Sequence, residues 1–196
     1  MCLSPLHIDN KSAYRSPLYQ SLAYDVPCCK CEECRLAMRS EWLTRLAFEV
    51  DALYKSGGVA VFLTFTYDDL HLPIFTDGDF SVSCFNHSDV TSFFDRLEIA
   101  VRRKYGKGAF KKFFVSEYGK DTRRPHYHGL FFLASFVDYV GFCEIARRVW
   151  SYGYMFPKFD KYRNCYVDND GFPVVPTLHS LADGAKYVSK YVFRAL

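Results

Sequence analysis

The chain has 196 residues, 49% of them hydrophobic and 18% aromatic, with a formal net charge of +3. That length and apolar content suit one well-cored domain and exclude a disordered chain, and so small a charge argues only weakly for an acidic partner. No stretch reaches the roughly 20 apolar residues of a membrane span, and MCLSPLHIDNKSAYRSP at the start has no apolar core of signal-peptide length, so a reducing cytosol and no membrane are expected. In chain order, residues 1–27 read as an irregular arm leading into the cysteine-rich CCKCEEC. From Glu33 to about Tyr54, Leu36, Trp42, Leu43, Leu46, Ala47, Val50 and Leu53 recur at helical spacing, and Ser56-Gly57-Gly58 ends the helix. VAVFLTFTY (59–67) is β-branched and aromatic, a buried strand; a long polar loop follows, then a second helix from about Ser88 to Tyr105. FKKFFVSEY (110–118) and HYHGLFFLA (126–134) predict neighbouring strands joined by GKDTRRP, with a third helix over about 137–150. YMFPKF, NCYV and FPVVP predict short strands, DNDG (168–171) a hairpin turn, and Ser180 to Asp183 the capped start of a last helix. This order favours an α+β fold with a central antiparallel sheet and helices packed mainly on one face, divided into an N-terminal arm (1–34) and a catalytic domain (35–196).

Within RRPHYHGLFF (123–132), His126 and His128 stand two apart on a predicted strand and so point to the same face. Glu117 ends the preceding strand and reaches that face if the two strands pair antiparallel. Two imidazoles and a carboxylate leave positions open for water or substrate, and this donor set admits Mn²⁺ and, more weakly, Mg²⁺, ions suited to phosphate substrates. Taken singly, a His-x-His is as compatible with ordinary strand residues. Thr64 and Thr66 alternate on the FLTFT strand and are expected to line the same surface.

In GAKYVSKYVF (184–193), Tyr187 and Tyr191 are four apart, one helical turn, with Lys186 and Lys190 beside them. A tyrosine hydroxyl near a divalent ion can attack a phosphodiester and retain it as a phosphotyrosine, while a lysine holds the phosphate. Core packing is the competing reading in a chain with 15 tyrosines. RRKYGKGAFKK (102–112) adds six basic residues and no acid, so Arg102, Arg103, Lys104, Lys111 and Lys112, with Arg123 and Arg124, are candidate DNA contacts. Cys28, Cys31 and Cys34 have the two-residue gaps of a zinc site, with Cys2 or His7 as the fourth ligand and Cys29 inserted between them; reduced, unliganded thiols are the alternative.

HYH (126–128), FLTFT (62–66) and YVSK (187–190), in that spacing, resemble the HUH endonucleases. VPCCKCEECR, FLTFTYDDLHLP, EYGKDTRRPHYHGLFF, WSYGY and KYVSKYV together are similar to the replication initiation proteins of gokushovirus-like microviruses, over nearly the whole chain. Cys29 departs from that pattern, which usually has Gly there. The chain stops at Leu196, where relatives run on, so an isolated nickase domain is expected. The resemblance implies an RRM-like sheet with HYH on a central strand, and site-specific nicking of phage DNA at its origin in the cytoplasm of a bacterial host. It also implies a covalent 5′ phosphate on tyrosine and a 3′ hydroxyl for the host replication machinery. Glu117 resembles the additional carboxylate ligand of that group. A non-catalytic zinc-stabilised DNA-binding protein, and an HUH transposase or relaxase, are the alternatives.

Overall fold

The computed structural model describes residues 2–10 and 23–178. Its centre is a four-stranded antiparallel sheet in the order β6-β7-β3-β8, built from β3 (Val59–Tyr67), β6 (Phe110–Tyr118), β7 (Pro125–Leu133) and β8 (Gly153–Phe156). β7 therefore lies inside the sheet, paired with β3 and β6 along nearly its full length.

Alternation along these strands divides the side chains into two layers. On one face, Leu63, Phe65 and Tyr67 of β3 and Tyr127, Phe131 and Leu133 of β7 pack beneath α2 (His87–Tyr105) and α3 (Tyr139–Val149), which contribute Phe93, Leu97, Val101, Phe142, Ile145 and Ala146. This is the larger core, and it is largely aromatic: Phe65 lies 5.0–6.3 Å, centroid to centroid, from the rings of Phe93, Phe114, Phe131 and Trp150. Its polar atoms are satisfied internally, as burial demands. The Trp150 indole donates to the Thr66 carbonyl at 3.1 Å, and the Tyr67 hydroxyl meets the Tyr127 hydroxyl and the Asp89 carboxylate. Burial and that tyrosine neighbour raise the pKa of the Tyr67 phenol.

The opposite face is covered at one end only. There α1 (Glu32–Lys55) sets Leu46, Val50 and Leu53 against Ala60, Leu130 and Phe132. Gly58 makes the tight return from α1 into β3, since a Cβ there would run into the Leu133 carbonyl and the Leu53 side chain. Beyond Leu130 this face presents His126, His128, Thr64 and Thr66 instead of aliphatic residues. With two of three helices on one face, the α+β architecture expected from the sequence is the one observed.

Three smaller units surround the sheet. The arm read as irregular contains an antiparallel pair, β1 (Leu6–Asp9) with β2 (Ala23–Val26). The loop read as polar contains a hairpin, β4 (Ile74–Asp77) with β5 (Phe80–Ser83), turning at Gly78 with φ of 56°. β9 (Lys158–Asp160), β10 (Cys165–Val167) and β11 (Pro173–Val174) form a separate sheet in the order β11-β10-β9, with DNDG making the expected turn. The chain then returns along β3, the Phe62 amide donating to the Pro176 carbonyl and the Leu178 amide to that of Ala60, both at 2.9 Å. Among the described residues, no helix is long and apolar enough to cross a membrane.

Candidate functional site

Register brings the predicted ligands to one face. Glu117 of β6 is directly opposite His126 of β7, and His128 is directly opposite Thr64 of β3. The closest approach is diagonal: His128 Nε2 lies 3.3 Å from Glu117 Oε2, with both side chains buried. Two donors on one ion at bonds of about 2.1 Å stand roughly 3.0–3.4 Å apart, so this pair already has the spacing of two coordinated atoms. The other ring nitrogen of His128 is 3.0 Å from Thr64 Oγ1. A donated Nδ1–H there leaves the Nε2 lone pair turned toward the carboxylate, the arrangement by which metal-binding histidines are oriented. Phe62, of the same strand parity as Thr64, stacks on the imidazole at 5.8 Å and 11°.

His126 shares the face and lies beside Glu117, but its nitrogens stand further out: the three residues do not close to within 4.8 Å of one another. Its Nδ1 is buried without a hydrogen-bond partner among the described residues. Burial lowers its pKa, reinforced by Arg124 and opposed by Glu117, which favours the neutral, metal-binding form of the ring. Gly119 shapes this corner, because a Cβ there would come within 2.8 Å of His126 Nε2. Neither Phe62 nor Gly119 stood out in the sequence; the parity of Phe62 with Thr64 and the position of Gly119 straight after Glu117-Tyr118 were the available signals.

The cysteines gather as well. Cys2, Cys28, Cys31 and Cys34 place their sulfurs within 4.8 Å of one another, the only set of three or more metal-type ligands among the described residues to do so. Cys2 Sγ is 3.8 Å from Cys31 Sγ, and Cys28 Sγ is 4.0 Å from Cys34 Sγ. Zinc–sulfur bonds near 2.3 Å in a tetrahedron give edges of about 3.8 Å, so the quartet can hold a metal ion. The amides of Lys30 and Cys31 donate to Cys28 Sγ at 3.4 and 3.3 Å, and these bonds lower the Cys28 thiol to about 6. Burial and the neighbouring sulfurs push Cys34 up to about 12. Cys31 caps the N-terminus of α1 and Cys34 sits in its first turn, so the cluster is mounted on that helix. His7, the alternative fourth ligand, instead pairs with Asp25 across β1 and β2 at 2.8 Å. Cys29 adopts φ of 59°, a left-handed conformation that favours glycine, which accounts for the glycine expected there.

The basic candidates do not form one surface. Arg123 and Arg124 lie in the β6–β7 loop beside Glu117 and His126, where Arg124 donates to Asp69 and to the Tyr67 carbonyl and Arg123 lies over the Tyr118 ring. The β4–β5 hairpin is tied to the same loop by Ser83 Oγ donating to the Arg123 carbonyl. Lys111 and Lys112 are at the far end of β6, on opposite faces, in ion pairs with Glu49 of α1 and Glu98 of α2. Arg102, Arg103 and Lys104 occupy the last turn of α2. Tyr187, Lys190 and Tyr191 lie outside the described residues.

An antiparallel α+β domain with a buried histidine–carboxylate pair on an open sheet face, and four converging cysteines on the helix that covers the rest of that face, is the class defined by this geometry. The chain belongs to the replication-associated protein ORF2 family, whose model matches residues 60–195, well over half of its length. It is similar to the replication-associated protein ORF2 of Spiroplasma virus 4, 36% identical over 107 residues covering 55% of this chain and 31% of that protein. It is similar also to the replication-associated protein VP4 of Bdellovibrio phage phiMH2K, 27% identical over 198 residues, with 86% and 59% covered. The chain thus spans about a third to three-fifths of the length of these relatives. No solved structure matches it.

Proposed function

We propose that this protein is a metal-dependent endonuclease of the HUH type, which nicks and rejoins single-stranded DNA at the origin of a small phage genome to start rolling-circle replication. The observation that carries the reading is the buried Glu117–His128 contact at 3.3 Å, with His126 opposite Glu117 on the same face, in a member of a replication-associated family. Glu117, His126 and His128 would hold Mn²⁺ or Mg²⁺, with His126 drawn in by rotation of its side chain. Such an ion polarises the scissile phosphate and offsets its charge.

The nucleophiles in this reading are Tyr187 and Tyr191. The phenol oxygen of one bonds to phosphorus, the bond to the 3′ oxygen breaks, and the phenol's proton leaves to solvent as the 3′ hydroxyl is released. The energy of the phosphodiester is kept in the tyrosyl ester, so the released hydroxyl can later reverse the step and reseal the strand without a nucleotide cofactor. Two phenols let a second cut occur while the first still carries DNA. Lys190 would hold the phosphate, and Arg123 and Arg124 would guide the strand past the histidines. The freed 3′ end would serve the host polymerase, in the cytoplasm of the bacterial host. Zn²⁺ in the cysteine quartet would have a structural role, joining the arm (1–34) to the nuclease domain (35–196).

The test is incubation with Mn²⁺ and single-stranded DNA carrying the genome's own origin. The expected product is a protein–DNA adduct that survives denaturation and disappears with chelator. Tyr187→Phe and Tyr191→Phe should each leave some cleavage, and the double variant none. Binding of the DNA with no adduct under these conditions would instead identify a non-catalytic DNA-binding protein.

A further inference from the structure

The sheet face bearing Glu117 and His128 adjoins a cavity of about 510 Å³, bounded by β3, the β8–β9 corner, the β10–β11 turn and the segment that returns along β3. This lies within the size range of small-ligand sites. Two of its lining residues touch the histidine directly: Thr64 through its hydroxyl at 3.0 Å, and Phe62 through the stacked ring. An occupant of the cavity is therefore one side chain away from the candidate metal ligands.

The lining selects what that occupant can be. Phe62, Phe156 and Pro157 offer flat apolar surface, with the Thr64 hydroxyl, the Asp168 carboxylate and the Asn169 amide as the polar groups beside it. Asp168 Oδ1 accepts from the amides of Asp170 and Phe172, which holds the turn, and among the described residues Oδ2 has no hydrogen-bond partner. A carboxylate in the lining repels a phosphate, whereas it accepts readily from the exocyclic amino group of a base. Asn169 offers a donor and an acceptor together, the pair needed to read a base edge. Aromatic rings beside such groups stack on unpaired bases.

We propose that this cavity receives one unstacked nucleobase of single-stranded DNA, from the nucleotide adjoining the cleaved phosphodiester, and sets a preference there for an amino-bearing base over thymine. The inference rests on the nuclease reading above and assigns Phe156, Asp168 and Asn169 to specificity.

The test separates the two. Wild-type protein in EDTA, where no cleavage occurs, is used to select ligands from a randomised single-stranded DNA pool. The selected ligand is then scanned by fluorescence anisotropy with an abasic site or thymine at each position. One position should weaken binding roughly tenfold or more when so replaced. Asn169→Ala, a change in an exposed turn, should compress the base preference at that position to under about threefold and leave other positions unchanged. Phe156→Leu should shrink the abasic penalty there. With Mn²⁺ restored, the sensitive position should flank the DNA end found in the adduct. The proposal is overturned if the protein selects no ligand, if no position is sensitive, if both variants keep the wild-type profile, or if the sensitive position lies away from the cut. Absence of an adduct alongside the expected binding profile would overturn the nuclease reading alone.

Discussion

Stripping metal from the cysteine quartet should release the N-terminal arm and leave the central sheet standing. The arm has almost nothing else to hold it. Every residue of β1 is exposed, and β2 is half-buried only at its two ends. Its cross-strand pair, His7 with Asp25, is 70% and 62% exposed, and an exposed ion pair contributes about 0–1 kcal/mol. A structural zinc site is worth about 10–16 kcal/mol at neutral pH in small peptides, which is an order of magnitude more. Sulfur separations of 3.8 and 4.0 Å let the ion seat with shifts of only a few tenths of an ångström. None of the four cysteines belongs to either hydrophobic cluster, so the two parts should part company cleanly. The perturbation is Cys28→Ser, read by metal analysis and amide hydrogen exchange. Zinc should fall from about one ion per chain to a small fraction of that. Amides of residues 2–10 and 23–35 should lose protection while those of β3, β6 and β7 keep it, with the main thermal midpoint moving by no more than about 4 °C. Wild-type protein purified without chelator and found free of zinc would refute the reasoning, as would a variant in which the sheet loses protection together with the arm.

Glu117→Gln preserves shape but removes the charge facing His128; Mn²⁺ affinity measured by paramagnetic resonance should fall about tenfold or more, and an unchanged affinity would exclude Glu117 as a ligand. Gly119→Ala should lower adduct yield with little change in thermal midpoint, because the added methyl would lie 2.8 Å from His126 Nε2 and displace the ring. Phe65→Ala removes a fully buried ring from the aromatic cluster and should cost about 3–5 kcal/mol in urea unfolding; a cost below about 1 kcal/mol would show that the cluster repacks. Cys29→Gly should add about 1 kcal/mol by relieving the left-handed backbone without changing zinc content, which would mark Cys29 as a bystander to the metal.

The larger elements were legible because each buries a long apolar stripe. VAVFLTFTY and FKKFFVSEY coincide with β3 and β6, and the helix read over Glu33 to Tyr54 differs from α1 by a residue at either end. The β4–β5 hairpin was not read, although IFTDGDFSVS carries an Asp-Gly turn between short apolar pairs. Its strands have four residues each and lie almost wholly exposed, so no buried face imposes an alternation. β1 and β2 were invisible for the same reason, and because their pairing joins positions such as His7 and Asp25 across many intervening residues. The common face of His126 and His128 followed from strand period alone. That Glu117 touches His128 more closely than its direct partner His126 depends on side-chain rotamers, on which periodicity is silent. RRKYGKGAFKK misled as a unit, since a helix end, a turn and an alternating strand send neighbouring cations in different directions.

β7 is read on both sides at once: Tyr127 and Phe131 belong to the aromatic core, and His126 and His128 to the opposite face. A slip of one residue would drive both imidazoles among phenylalanines and strand a tyrosine where the ligands stood. Within this strand, then, a single-codon insertion or deletion cannot be absorbed locally, whereas residues 119–124 lie in a surface connection of the kind that tolerates length change. Lineages carrying this fold should accordingly accumulate indels in that connection and none between Pro125 and Leu133, with the packing of the far side acting as the proofreader of the chemistry on the near side.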